Sequence, residues 1–212
     1  MKTENAWKKY TDTTEVFQFN EKYKAFISNC KTERECISEM ISQAKAAGYR
    51  NLDDIIANKE TLQAGDKVYA NNMDKTLAMY IIGEEPMEKG MRILGAHVDS
   101  PRIDLKQNPL YEDQELALLD THYYGGVKKY QWVTIPLALH GIVLVQVVIG
   151  EDETDPVFGI SDLLIHLSAK QLQKPAAEVV EGENLNVLVG SIPLSGEEEE
   201  PVKAQILQIL KE

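Results

Sequence analysis

Four histidines, two cysteines and 34 acidic side chains are the groups with which this 212-residue chain could hold a metal or move a proton. The segment Gly95-Ala96-His97-Val98-Asp99-Ser100-Pro101 sets an imidazole and a carboxylate two residues apart, at the end of the apolar run Met91–His97. A histidine at the C-terminal end of a buried strand faces the crevice where α/β sheets place their ligands. Asp99 can then accept a hydrogen bond from the ring N–H turned away from a metal, which fixes the tautomer and raises the ligand's basicity. Pro101 stiffens the exit from the strand. The same spacing also suits an ordinary structural histidine, so His97 is a candidate metal ligand on position as well as type.

The other histidines have plainer readings. His140, within LALHGIV, fits a hydrogen-bonded core or edge-strand residue, and His122, opening HYYGG, fits a loop residue packed beside tyrosines. His166 follows Asp162 by four residues on an expected helix, so the two share a face, as a capping contact or a metal pair would. Cys30 and Cys36, six apart in an expected helical region, form neither a disulfide framework nor a CxxC site. Phosphate-cradling loops of the GxGxxG and GxxxxGK[ST] types, the GxSxG elbow and HExxH are all missing from the sequence.

These residues need elements to position them. Apolar positions Tyr23, Phe26, Ile27, Cys30, Ile37, Met40, Ile41 and Ala44 make a helical stripe over 20–47, predicting two helices broken near Lys31–Glu35 and closed by Gly48. KVYANNMDKTLAMYIIG (67–83) predicts a hairpin with its tip at NNMDK and a second strand, Thr76–Ile82, buried on both faces. Pro86–Gly90 predicts a turn and Met91–His97 a buried strand. Residues 107–115 are polar and turn-rich; Leu116–Tyr124 and the segment Tyr130–Ile149 are β-rich. Ile160–Gln173 runs at helical period from a cap at Ser161 or Asp162, Asn186–Leu194 predicts a strand, and a helix begins at Pro201.

The composition bounds the function. Net charge is −12, from 22 basic and 34 acidic residues, a field that repels nucleic acid and anionic membranes. No stretch approaches the roughly 18 apolar residues of a membrane helix, and MKTENAWKKY lacks the apolar core of a signal peptide, which predicts a cytoplasmic protein.

GAHVDSP (95–101), LLDTHYYGG (118–126) and ISDLLIHLSAK (160–170), in that order, resemble the aspartyl aminopeptidase / aminopeptidase I family of zinc metallopeptidases. ENAWKKY and the 67–83 hairpin are similar to its bacterial branch, and the likeness runs over roughly 5–212. It implies an α/β fold: part of an α/β/α catalytic domain (1–106), an inserted β-rich dimerisation domain (107–200), and the start of a helix (201–212) leading into a remainder. It implies removal of N-terminal residues, acidic ones in many members, from peptide substrates, by metal-activated water. It also implies two Zn2+ per site, with Co2+ or Mn2+ suited to the same donors, and a homo-oligomer of dimers building into a dodecamer.

By position, His97 matches the family's first zinc ligand and Asp99 the aspartate supporting it. His166 matches a histidine of the dimerisation domain that reaches a neighbouring subunit's active site. The family's other ligands and its general-base glutamate have no match within 1–212. The resemblance therefore implies the N-terminal portion of a longer enzyme, inactive by itself. Two other readings stand beside it: a non-catalytic assembly module working through the β-rich half, and a small-molecule-binding α/β protein.

Overall fold

The computed structural model describes residues 4–142 and 146–211. The chain divides into two compact units, Met1–Asp99 and Ser100–Glu212.

The first unit opens with a turn of 3-10 helix, Ala6–Lys9, followed by α1 (Thr14–Asn29) and α2 (Glu33–Ala46). The expected break falls at Cys30–Thr32, and its cause is local. The Thr32 hydroxyl accepts from the Glu35 N–H, and the Glu35 carboxylate accepts from the Thr32 N–H, a reciprocal capping box that starts α2. Gly48 ends the helix at a φ of 85°, a conformation that costs glycine little. β1 (Arg50–Asn51) leads into α3 (Leu52–Ala57), and β1 pairs parallel with β2 (Lys67–Asn72). β2 pairs antiparallel with β3 (Thr76–Ile81), the expected hairpin, turning at Met73 and Asp74, both at φ 55°. Ile37, Ala44, Ile55, Val68 and Tyr69 are buried between the helices and the hairpin.

Two expectations for this unit fail. β3 is not buried on both faces: Met79, Tyr80 and Ile81 are exposed, because β3 is the edge of its three-stranded sheet. Met91–His97 is neither a strand nor buried; from Gly90 to Pro101 the chain has no regular structure, and Leu94 is 100% exposed. A strand needs a neighbour to satisfy its N–H and C=O groups, and no described strand pairs with this segment.

The second unit is a five-stranded sheet in the order β4-β5-β10-β9-β6. Its strands are β4 (Arg102–Asp113), β5 (Leu116–Tyr124), β6 (Pro136–Leu137), β9 (Phe158–Gly159) and β10 (Val187–Gly190). β7 (Leu139–Ile142) and β8 (Gln146–Ile149) make a separate hairpin. The expected boundary at 106/107 thus lies inside β4, and of the turn-rich 107–115 only Gln114 and Glu115 are turn, 107–113 being strand. Its turn-like composition has two sources. Pro109 sits where the β4–β5 register shifts, between Leu105 and Leu110, a bulge that tolerates a residue without an N–H. Gln114 and Glu115, at φ 50° and 62°, form a two-residue hairpin turn matched to the strand twist.

Leu119, Val133, Phe158, Ile160, Val180, Leu185 and Val187 form the core of this unit. A buried polar tie crosses it: the Thr121 hydroxyl donates to Leu185 O (2.6 Å), and Asn186 accepts from Thr121 N (3.1 Å) while donating to the Tyr111 hydroxyl (2.9 Å). α4 (Pro201–Ile209) packs on this sheet through Val202, which is buried, and Ile206 lies over Gly190 so closely that a Cβ there would come within 2.7 Å.

The helix expected over Ile160–Gln173 does not form. Ile160 is buried, but the segment continues as turns, with only a short 3-10 helix at Gln171–Gln173, while Leu163, Leu164, Ile165 and Leu167 are exposed. An apolar period specifies a helix when a partner covers the stripe, and no described element covers this one. Among the described residues no helix is long and apolar enough to cross a membrane.

Candidate functional site

His97 lies in the irregular segment that ends the first unit, with its side chain 83% exposed. Its Nδ1 is 2.9 Å from the Asp99 backbone oxygen and 3.2 Å from Asp99 Oδ1. A carbonyl oxygen can only accept, so in the neutral ring Nδ1 carries the proton and Nε2 keeps the lone pair. The HxD spacing therefore folds as expected at the level of this pair: the carboxylate and its own carbonyl both hold the ring nitrogen that would face away from a metal. The strand that was to carry the pair is what the described structure lacks.

Zinc sites use three or four protein donors. His97 fits one of them, with the right nitrogen presented and the right partner behind it. Among the described residues no group of three His, Cys, Asp or Glu side chains converges to hold a metal, so the remaining donors are not supplied here.

His166 sits in the exposed turn 165–167, held by Leu167 N donating to Leu164 O (2.8 Å). Asp162 does not meet it across a helix face; its carboxylate accepts from Leu163 N (2.8 Å) and Gln171 Nε2 (2.9 Å). His140 follows its plainer reading, while His122 packs beside a tyrosine as expected but lies on β5 rather than in a loop. His140, on β7, bonds Glu151 (3.0 Å), and His122 stacks on Tyr123 with ring centroids 5.1 Å apart.

The structure adds a charge network the sequence did not announce. Lys106 on β4 reaches Asp120 (3.1 Å) and Glu183 (3.2 Å), and His122 reaches Glu183 (3.2 Å). Lys106 first, and His122 second, hold the Glu183 carboxyl below its ordinary value. An open cleft of about 380 Å3, lined by Lys45, Tyr49, Arg50, Asp54, Glu60 and Tyr69, contains none of the candidate residues. Its strongest charges neutralise each other, Arg50 pairing with Glu60 at 2.6 Å.

Sequence reading also missed Glu112. Its Oε2 accepts from the N–H groups of Val202 and Lys203, both at 2.9 Å, capping α4 from β4. The local signal was present: Pro201 opens a helix whose preceding residue, Glu200, makes no side-chain cap, so another acceptor was needed. Nothing in the sequence says that the acceptor lies ninety positions upstream.

With the geometry in view, comparison with known proteins identifies the likeness. Residues 26–212 match the family model described as aminopeptidase I zinc metalloprotease (M18). A probable M18 family aminopeptidase 1 of Clostridium acetobutylicum is 60% identical over 98% of this chain and 47% of its own length. The crystal structure of an M18 family aminopeptidase from Thermotoga maritima superposes with a TM-score of 0.91 at 39% identity, over 100% of this chain and 46% of that one. A far more distant structure, the mApe1 dodecamer of S. cerevisiae, shares the fold at a TM-score of 0.58 and 17% identity, over 82% of this chain and 39% of that one. The chain thus spans about half the length of the relatives it matches.

Proposed function

The chain belongs to the aminopeptidase I zinc metalloprotease (M18) family, and from that premise we propose that it is the portion of a zinc aminopeptidase that contributes His97 to the metal. The observation carrying this reading is the Nδ1–Asp99 pair, which leaves Nε2 to the ion. The chemistry a bound zinc supplies is Lewis acidity toward a carbonyl and a coordinated water of lowered pKa. The chain's own part is narrower: His97 presents one lone pair, and Asp99 keeps the proton on Nδ1 and fixes the ring's direction.

The substrates are peptides, cleaved behind their N-terminal residue, acidic residues included. Two metal ions serve each site, and Co2+ or Mn2+ suit the same donors. The missing donors, the general base and the strands that would pair with Met91–His97 lie in the half of the relatives that this chain does not cover. The catalytic-domain part is the unit ending at Asp99 and the dimerisation domain is the β-rich unit from Ser100 to about residue 200, a boundary moved from 106/107 so that β4 stays whole. The exposed apolar turn around His166 then meets a second subunit, in a cytoplasmic homo-oligomer. Support for assembly comes from the exposure of Leu163, Leu164, Ile165 and Leu167, too contiguous for an ordinary monomer surface.

In the full-length enzyme, Asp99→Asn should lower metal affinity or turnover by roughly 10–100-fold, and His97→Ala should cost more, with zinc lost in step. Near-normal turnover of His97→Ala overturns the assignment. The 212-residue chain by itself should hydrolyse no peptide in a chelator-sensitive way. A second reading, an assembly module without catalysis, rests on the same apolar turn; a discrete, metal-independent oligomer formed by the full-length protein in the absence of any peptidase activity would favour it.

A further inference from the structure

Cys30 and Cys36 flank the α1–α2 connection, and the fold turns them toward each other. Cys30 is the residue after the last turn of α1, its N–H donating to Phe26 O (3.0 Å), and Cys36 lies in the first turns of α2, its N–H donating to Thr32 O (3.0 Å). Cys36 Sγ comes within 4.0 Å of the Cys30 backbone oxygen. The two thiols also meet side chain to side chain, so both sulfurs lie on the same side of the connection, and rotation about each Cα–Cβ bond is the movement that closure needs. The connection is also held in shape: the Glu35 carboxylate accepts from both Lys31 N (2.8 Å) and Thr32 N (2.9 Å).

We propose that Cys30 and Cys36 are a dithiol that closes reversibly to an intramolecular disulfide when the protein meets a small-molecule disulfide such as glutathione disulfide. Cys30 is the more open of the two, Cys36 being buried. Its thiolate attacks the small disulfide, forming a mixed disulfide and releasing one thiol. The Cys36 thiolate then attacks the Cys30 sulfur, the Cys30–Cys36 bond forms, and the second small thiol leaves. Two protein thiols are oxidised and one small disulfide is reduced to two thiols. The product staples the end of α1 to the start of α2, and α1 has no buried residue of its own to hold it there.

The pair is slow by design of its surroundings. Burial, followed by the neighbouring Cys36 thiol and the carboxylates of Glu39 and Glu35, pushes Cys30 up to about 11. The thiolate is the attacking species, so closure should quicken about tenfold per pH unit from 7 to 9.

The test incubates the folded full-length protein with glutathione disulfide at pH 8, quenches by alkylation, and maps peptides without reduction. Trypsin cuts at Lys31 and Arg34, so closure joins two peptides that dithiothreitol separates. The expected wild-type product is a joined pair of peptides, 25–31 and 35–45, lighter by two hydrogens than their sum and holding no glutathione, while Cys36→Ser stops at a stable glutathione adduct on Cys30. Unreacted thiols, a glutathione adduct retained on the wild type, or a disulfide that forms only in denaturant would each overturn the proposal.

Discussion

In the Ser100–Glu212 unit, strands from five places in the sequence close over one cluster centred on Leu185, which is 0% exposed, and Thr121 and Asn186 knit its middle. In the Met1–Asp99 unit, burial is confined to one face of α2, α3 and β2; α1 buries nothing, β3 has an exposed apolar edge, and the last dozen residues are open. The candidate metal ligand sits in the second kind of surroundings. A β-rich unit closed on its own core needs little from elsewhere, whereas a segment with a strand's composition becomes a strand only when others pair with it. The difference teaches that the HxD pair is built locally, through two residues and a carbonyl, while the segment that carries it is not.

That contrast can be broken. Limited trypsin digestion should cut first at Lys89 and Arg92 in the open segment and leave the 102–211 core standing; early cuts within β4 or β5, with 83–101 intact, would reverse the ranking of the units. Next in size are the cores. Leu185→Ala should cost about 2–5 kcal/mol in denaturant unfolding, and Leu94→Ala, wholly exposed here, should stay within about 0.5 kcal/mol. A large loss at Leu94 would mean that 91–97 is packed after all.

Smaller still are the helix caps, one in each unit. Thr32→Ala removes half of the capping box and Glu112→Ala removes the acceptor for the start of α4; each should cost about 1 kcal/mol, with Glu112 the greater if its charge also meets the helix dipole. No measurable change in either would show that packing alone holds the helix.

The smallest effects are those of pH. Lys106 and His122 hold Glu183 low, Lys174 holds Glu181 low, and the N–H groups of Gly150 and Asp152 hold Asp155 low. A depressed folded pKa gives stability that is full above the ordinary carboxylate value and is lost as pH falls through the folded one. The β-rich unit should therefore soften in acid. Cys30 and Cys36 are raised, Cys30 from 9.0 to about 11, so their contribution is full below about 9 and lost as pH climbs toward 11. Alkali should soften the helical unit first, and circular dichroism against near-ultraviolet signals separates the two.

Much of this was legible where structure is local. α1, α2 and the 67–83 hairpin follow from periodicity and a polar tip. The His97–Asp99 contact follows from a spacing of two. What was not legible depended on a partner: 160–173 carries a helical stripe with nothing over it, 91–97 carries a strand's composition with no ladder beside it, and Pro109 signals a loop unless the register shift that accommodates it is known. Glu112 is the limiting case, a cap with no local signature at its own position.

Glu112 also orders events in time. Its oxygen can receive Val202 and Lys203 only after the ninety residues between have been laid down. Closing so long a loop is slow and costs entropy before any contact rewards it. The capping of α4 by β4 is therefore a late event, and a newly made chain halted before residue 202 would carry β4 without those two N–H partners for Glu112.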